Sequence, residues 1–238
     1  MVTRIKLGDI DVDVVLKDIK NIHLSVHPPG GRVRISAPSR MNLDTIRAFA
    51  ISKLAWIKKH RKKFQEQERE TPREYLDRES HYFFGKRYLL RVFENASRAE
   101  VRLTKSTIDL YVRKGASLSR RQEAMNEWYR KELKKAIPEL LEKWEKRIGV
   151  SASTWGIKLM KTRWGSCNRK AKRIWINLEL AKKPPICLEY VIVHELVHIL
   201  EGHHNDAFKK YMDTFMPQWR MYKDQLNRFP ISHNNWKY

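Results

Sequence analysis

Cysteines and long apolar runs are scarce in this sequence. The 238 residues contain only two cysteines, Cys167 and Cys187. So few cysteines exclude a scaffold held together by several disulfides and make a reducing cytoplasm the simplest expected location. No apolar run approaches the ~20 residues of a membrane-spanning helix, so no membrane partner is expected. The first residues, Met1 to Lys6, lack the apolar core of a secretory signal.

Acidic residues are also few compared with basic ones. The chain has 49 Lys and Arg against 27 Asp and Glu, which gives a net charge of +22. From His194 onward six basic residues face five acidic ones, so nearly all of the excess lies upstream. Such a charge favours a polyanionic partner, nucleic acid above all. The alternative is a basic, solvated surface without a nucleic-acid partner.

Alternating apolar and polar residues predict strands near the start of the chain. Segments 10–14, 22–26 and 33–37 alternate in this way, and the turn at 28–31 between the last two indicates a hairpin. Asn42 is a candidate cap for one helix that extends to about residue 69. Its second half carries a basic run at 58–63, which is either a solvated face or a phosphate-binding surface.

The rest of the chain continues with short strands and longer helices. Strand-like segments between residues 82 and 112 predict a second small sheet or an extension of the first. A long amphipathic helix then begins at Ser119 and ends at Gly149, and residues 155–160 and 174–178 predict a hairpin. Pro184 and Pro185 begin an apolar helix, which two amphipathic helices follow at 206–216 and 218–228. No internal repeat is evident.

The apolar helix contains the sequence His-Glu-Leu-Val-His at 194–198. Because positions i and i+4 share one face of a helix, His194 and His198 can direct their imidazoles at one point. Two histidines at this spacing, with a glutamate directly after the first, are typical of zinc peptidases. Glu195 would take the proton of a water activated by the metal. The alternative is a buried helix with two hydrogen-bonded histidines, but a lone carboxylate in so apolar a run is costly.

A catalytic zinc site needs a third protein ligand and one open position. The candidates are His203, His204, Asp206 or a distant residue, and Gly202 offers a helix stop that lets the chain turn back. The spacing His-Glu-x-x-His-x5-His selects His204, with His203 as the alternative. Metzincins share this spacing, but they have a glycine where this chain has Glu201. We therefore predict one zinc ion without assigning the chain to the metzincins.

Several of these segments together resemble the YgjP-like family of metallopeptidases. The resemblance rests on Arg163–Cys167, Ile176–Asn177, Leu180, Pro184, Tyr190–His198, His204 and Phe208. The hairpin that ends at Pro38 and the helix with Trp56 and Ile57 also resemble that family, so the similarity covers about residues 20–225.

The resemblance implies a fold, a cofactor and a site. It implies an α+β protein in which a β-rich N-terminal region, residues 1–115, precedes a zincin-like catalytic domain, residues 116–238, that contains the active-site helix. It implies zinc, with His194, His198 and His204 as ligands and Glu195 as the catalytic base. It also suggests kinship with SprT-like and WLM peptidases, some of which act on proteins attached to DNA. It gives residues 70–115 no role.

Arg163 and Trp164 are the candidate substrate-binding residues. We expect their segment beside the metal, where Arg163 would hold a substrate carbonyl or carboxylate and the backbone would pair with an extended peptide. The alternative is a structural corner with Gly165 at the turn, Trp164 in the core and Cys167 buried.

Together these features favour a cytoplasmic zinc-dependent peptidase, expected to cut within a protein or peptide chain. Two other interpretations stay open. One is a basic nucleic-acid-binding protein whose zinc site is structural or vestigial, or a protease that acts on DNA-associated proteins. The other is an interaction domain that the metal only stabilises.

Overall fold

The computed structural model describes residues 2–27, 30–66, 73–160 and 163–228, without the side chains of residues 63, 64, 66 and 228. These residues form two compact units, within 2–66 and 73–228. Both units combine sheets with separate helices, so the predicted α+β class is confirmed. The two units do not coincide with the boundary predicted after residue 115, because the second sheet packs with the helices that follow it. Among the described helices, none is long and apolar enough to cross a membrane.

The first unit packs two helices on one face of a four-stranded sheet. Alternate residues of the central strands, such as Val12, Val14 and Ile35, are buried against Ile46 and Ile57 of the helices. The strands are β1 Val2–Leu7, β2 Ile10–Lys17, β3 His23–His27 and β4 Arg32–Pro38, and the helices are α1 Leu43–Ser52 and α2 Leu54–Glu66. The sheet order is β1-β2-β4-β3, in which only β2 and β4 are parallel.

The prediction of a single helix from Asn42 to residue 69 is wrong, because two helices lie within this range. The Asn42 side chain does cap α1 by accepting the Thr45 N–H at 2.8 Å. The helix ends at Ser52, however, and α2 begins at Leu54. The predicted end at residue 69 lies outside the described residues.

The second unit begins with a sheet of the same topology as the first. Its strands are β5 Ser80–Phe83, β6 Lys86–Phe93, β7 Glu100–Leu103 and β8 Thr107–Tyr111. The order β5-β6-β8-β7, with β6 and β8 parallel and the other pairs antiparallel, repeats the order and pairing of the first sheet. This internal repeat was not evident from the sequence, because the two copies share alternation and not residues.

A long helix and a three-stranded sheet complete the core of the second unit. Helix α3, Leu118–Ile148, is capped by Ser117 instead of the predicted Ser119, and it ends at Gly149, whose φ of 78° is left-handed. The new strands are β9 Thr154–Lys158, β10 Gly165–Asn168 and β11 Arg173–Asn177. A short 3-10 helix, Leu178–Lys182, then leads to α4 Pro185–Leu200, α5 Asp206–Phe215 and α6 Trp219–Arg228.

The predicted hairpin of residues 155–160 and 174–178 is wrong in its first strand. The sheet order is β10-β11-β9, and β9 pairs with β11 in parallel. The antiparallel partner of β11 is β10, so the hairpin turn at 169–172 joins β10 to β11. Strand β10 contains few apolar residues, and its pairing could not be recognised from alternation alone.

The second sheet supports the start of helix α4. Its β5–β6 turn places the Phe84 N–H 2.8 Å from the Ala181 carbonyl and the Gly85 N–H 3.3 Å from the Lys182 carbonyl. A Cβ atom at Gly85 would lie 2.9 Å from Pro184, so this turn and the residue before α4 are in close contact. The turn between β5 and β6 therefore contacts and supports the start of the helix that carries His194 and His198.

Candidate metal centre

Helix α4 holds two histidines and a glutamate on an otherwise apolar segment. Its N-cap residue is Pro184, and Pro185 occupies the first helical position, where the missing N–H costs nothing. His194 and His198 lie one turn apart with ring centroids 4.8 Å from each other. Glu195 is only 4% exposed. The helix thus presents both imidazoles on one face, with the carboxylate beside them.

The turn after α4 brings a third histidine back to this face. The helix ends at Leu200, and the next residue, Glu201, has an extended backbone conformation. Gly202 does not adopt the left-handed conformation expected of a helix stop. Instead, the Glu201 carboxylate accepts the His203 N–H at 3.1 Å, and Asn205 caps α5 by accepting the N–H of its third residue. Two side-chain contacts therefore define the loop that carries His204.

The structure brings His194, His198 and His204 together. One nitrogen atom from each ring can be chosen so that all three lie within 4.8 Å of one another. The Nε2 atoms of His194 and His204 are 3.0 Å apart. Of the other candidate ligands, His203 and Asp206 are exposed and do not belong to this group. The structure therefore groups His204, and not His203 or Asp206, with His194 and His198.

The three imidazoles fit a divalent metal ion such as zinc. Burial, with help from the neighbouring His198 and His204, lowers the pKa of His194 to about 3, which leaves its ring neutral and able to bind metal near pH 7. His198 must donate its Nδ1–H to the Glu201 carbonyl 3.0 Å away, because a carbonyl only accepts, and this leaves Nε2 for the metal. A set of three histidines is a known catalytic zinc environment.

His194 is oriented by packing. Its Nδ1 atom is buried and has no hydrogen-bond partner among the described residues. The ring instead lies between Tyr190, with centroids 5.8 Å apart, and Phe208, with centroids 5.0 Å apart. The Phe208 ring also lies 4.7 Å from the rings of both His198 and His204. Phe208 is thus a shared packing surface for all three imidazoles.

Two supporting residues were not recognised as such from the sequence. Phe208 was noted only as one of the residues that carry the family resemblance. Its position four residues after His204 in an amphipathic helix could have indicated that it packs on the histidines. Arg169, in the β10–β11 turn, donates from Nε to the Ile199 carbonyl at 3.1 Å and from Nη2 to the Leu200 carbonyl at 2.5 Å. These carbonyls end α4, where a cation is favourable. An arginine in a turn gives no such signal in sequence.

The histidines and Glu195 line one cleft of about 470 Å³ together with the strand β10. Arg163 and Trp164, the predicted substrate-binding residues, also line this cleft. Arg163 is exposed, whereas Trp164 is partly buried and packs against the core, as the structural alternative expected. The remaining lining residues are Gly165, Ser166, Cys167, Arg169, Tyr190, Val191 and Gly202.

The Glu195 carboxyl differs in its protonation from an ordinary surface glutamate. Burial raises its pKa to about 8, and the positive charge of Arg163 only partly opposes this shift. The same carboxylate, after burial, contributes to raising the pKa of the Cys167 thiol to about 11, so that thiol is not a ready nucleophile. The chemistry of the cleft therefore centres on the imidazoles and the carboxyl group.

Comparison with known families identifies the family of this chain. A family model described as "YgjP-like, metallopeptidase domain" matches residues 20–229. Among solved structures, the chain is similar to the metallopeptidase zymogen abylysin of Pyrococcus abyssi, with 18% identity and a TM-score of 0.36 over 38% of this chain and 90% of that one. Comparison with curated protein sequences found no match. Because the family model spans most of the sequence, the chain belongs to the YgjP-like metallopeptidase family.

Proposed function

We propose that this metallopeptidase is a zinc-dependent endopeptidase with Glu195 as its general base. Membership of the family makes the chain a peptidase with a metal cofactor. The observation that supports the finer proposal is the convergence of three imidazoles within 4.8 Å, beside a buried carboxyl group in one cleft. His194, His198 and His204 would hold a single zinc ion. Zinc supplies Lewis-acid polarisation of a carbonyl and acidifies water.

Glu195 would carry the proton through the reaction. Its carboxylate takes a proton from water as the water oxygen bonds to the peptide carbonyl carbon. The carboxyl group then gives this proton to the amide nitrogen as the C–N bond breaks, so that an amine and a carboxylic acid are released. Burial raises the pKa of this carboxyl group, which favours its uptake of the proton from water.

An extended peptide would bind along strand β10. This strand lies at the edge of its sheet, so its outer backbone groups are not paired within the sheet and can pair with a substrate backbone. Exposed Arg163 at the start of this segment would bind a substrate carbonyl or side-chain carboxylate. Glu195 is the one acidic residue among the described residues that line the cleft. The lining therefore offers no second carboxylate for a free amino terminus, which disfavours removal of residues from that end of a substrate.

Metal analysis combined with peptide cleavage tests this proposal. We expect the purified protein to hold one zinc per chain and to cut peptides whose termini are acetylated and amidated. Glu195→Gln keeps the zinc but should lose at least about a hundredfold in kcat, since it cannot take up the proton. A wild-type protein that binds no zinc, or a variant that cuts as fast as wild type, would refute the zinc mechanism. Cleavage only of peptides with a free terminus would refute the endopeptidase assignment alone.

Nucleic-acid binding is a second candidate function, and helix α2 favours it. This helix exposes the side chains of Lys58, Lys59 and Lys62. Trp56 is 42% exposed, and its ring lies 4.1 Å from that of His60. Exposed aromatic rings beside lysines are the elements with which proteins bind single-stranded nucleic acid, by base stacking and phosphate contacts. The net charge of +22 supports the same partner.

Binding to a labelled single-stranded oligonucleotide at several salt concentrations tests this second function. The affinity should fall steeply with salt, and Lys58→Gln/Lys59→Gln should reduce the slope of log affinity against log salt by roughly 1.4, at ~0.7 per lost phosphate contact. Lys131→Gln/Lys134→Gln removes the same charge from exposed positions of α3 and should leave the slope unchanged. Absence of binding at low salt, or equal losses in both variants, would reject this interface.

A further inference from the structure

We infer that Gly165 is a positioning residue for Glu195, because the missing side chain leaves the space that the Glu195 carboxyl group occupies. Gly165 is the first residue of strand β10, and Glu195 lies on helix α4, which packs against that strand. The catalytic consequence rests on the proposed function. The contact itself does not, and it can be tested without a substrate.

The distances leave no room for a larger residue at this position. A Cβ atom built on Gly165 would lie 2.5 Å from Oε1, 2.8 Å from Cγ and 2.9 Å from Cδ of Glu195. Carbon atoms at Cβ essentially never approach other heavy atoms below 3.0 Å, so Glu195 would have to move. Three atoms of one side chain are involved, including the carboxyl carbon and an oxygen that would receive the proton. Even the smallest substitution, alanine, therefore acts directly on the proposed base.

The backbone at Gly165 does not itself require glycine. Its φ lies outside the left-handed region, in contrast to Gly85 and Gly149. It sits in regular antiparallel register opposite Ile176 of β11. An alanine would therefore fit the strand, and the effect of the substitution would come from the contact with Glu195. This makes Gly165→Ala a clean probe of that contact.

Packing, and not hydrogen bonding, holds the Glu195 carboxyl group in place. Within the described part of the chain, no hydrogen bond or ion pair to this carboxyl group is present. The side chain is almost fully buried, and it is confined between α4 and the backbone of β10. A base without hydrogen-bonded anchors depends on the shape of its surroundings for its direction. Gly165 forms the part of that surface that touches the carboxyl group.

A double-mutant cycle on the full-length protein tests the contact by thermal unfolding. Gly165→Ala alone should lower Tm by roughly 5 °C, as expected when a methyl group is forced into a filled space. In a Glu195→Ala background the space is vacant, so the same substitution should lower Tm by less than half as much. Equal losses in the two backgrounds would overturn the inference, since the glycine and the glutamate would then be independent.

Gly202→Ala is the matched control for this cycle. Gly202 lines the same cleft, but a Cβ there would meet only Arg169, at an ordinary distance of 3.5 Å. Its substitution should shift Tm by the same small amount with and without Glu195. Coupling of Glu195 to both glycines would show a general effect of the cleft and would also count against the inference.

Peptide cleavage then tests the positioning role. Gly165→Ala, normalised to its zinc content, should act mainly on kcat and lower it at least tenfold, because the added methyl group misdirects the base. In a Glu195→Ala background, which lacks all three of the contacted atoms, Gly165→Ala should lower the residual kcat less than threefold. If the kcat losses of the two single variants multiply in the double variant, the positioning role is wrong. A raised KM with unchanged kcat would also overturn it. Full activity of Glu195→Gln would instead refute the proposed function and leave the Tm coupling unaffected.

Discussion

Asn177 is the side chain whose replacement should most directly separate local stability from metal binding. It is 4% exposed and lies at the end of β11. Its Nδ2 donates to the carbonyl of Met160 at 2.9 Å and to that of Arg163 at 2.7 Å. Its Oδ1 accepts the N–H groups of Met160 and Glu179, each at 3.2 Å. One amide thus joins both ends of the segment that leads into the cleft.

Replacing Asn177 by aspartate, Asn177→Asp, keeps the shape and removes the donors. The carbonyls of Met160 and Arg163 lose a hydrogen bond to a buried donor, and each loss costs about 1–3 kcal/mol, so the free energy of unfolding should fall by about 2–6 kcal/mol. With a urea m-value of about 3 kcal/mol/M, the midpoint should fall by roughly 0.7–2 M. The penalty should shrink at low pH, because the carboxyl group of the variant regains one donor when it is protonated. Urea titration followed by tryptophan fluorescence measures the midpoint.

Asn168→Asp is the control for this substitution. Asn168 is exposed, and its Oδ1 accepts only the Ala171 N–H at 3.0 Å, which an aspartate accepts equally well. Its midpoint should stay within the error of the wild-type value. If Asn177→Asp is as stable as this control, the two carbonyls do not depend on Asn177, and the reasoning is refuted. The zinc content of both variants should match wild type, because neither side chain contacts the histidines.

Three further predictions concern the metal site and the core. Removal of zinc by a chelator should lower Tm, since zinc at a hundredfold excess over its Kd raises the free energy of unfolding by ~2.7 kcal/mol. An unchanged Tm would show that the site does not bind zinc. Arg169→Ala frees two carbonyls at the end of α4 and should weaken zinc binding by about tenfold in a competition titration, a loss in the range found for residues that support metal ligands; unchanged affinity would contradict its role. His81 is buried, and burial, then Arg73 and Lys182, lower its pKa to about 3, although Glu79 lies 3.7 Å from Nε2. Below pH 6.5, His81 therefore binds a proton in the unfolded chain but stays neutral in the folded chain. The free energy of unfolding should fall by about 2 kcal/mol between pH 6.5 and pH 5. His81→Phe should reduce this loss, as urea titrations at the two pH values would show; an equal loss in the variant would assign it to other groups.

The support for the active-site helix comes from a segment whose role was open at the level of sequence. Residues 80–111 form the second sheet, and the turn at Phe84 and Gly85 contacts the residues directly before α4. The sheet repeats the topology of the first one, although it serves a different neighbour. The first sheet packs on α1 and α2, whereas the second packs on α3 and the 3-10 helix.

The proximity of the candidate metal ligands was predictable from the sequence, because it depends on local structure. His194, Glu195 and His198 lie on one helical turn, and helix geometry alone places the two imidazoles together. His204 follows after a short loop, so its spacing was enough to prefer it over His203. The amphipathic helices and most strands were predictable for the same reason, since each depends on periodicity within about ten residues.

Other features depend on contacts between residues far apart in the chain, and only the tertiary structure decides them. Spacing cannot show that β11 pairs with β10 on one side and with β9 on the other, because strand pairing is chosen by the packing of the whole sheet. It cannot show that Arg169 binds the carbonyls at the end of α4, about thirty residues later. Nor can it show that Gly165 is glycine because Glu195 fills its side-chain space. The sequence alone determined which residues can do the chemistry, and the tertiary structure decided what holds them in place, because close packing between distant segments has no periodic pattern in sequence.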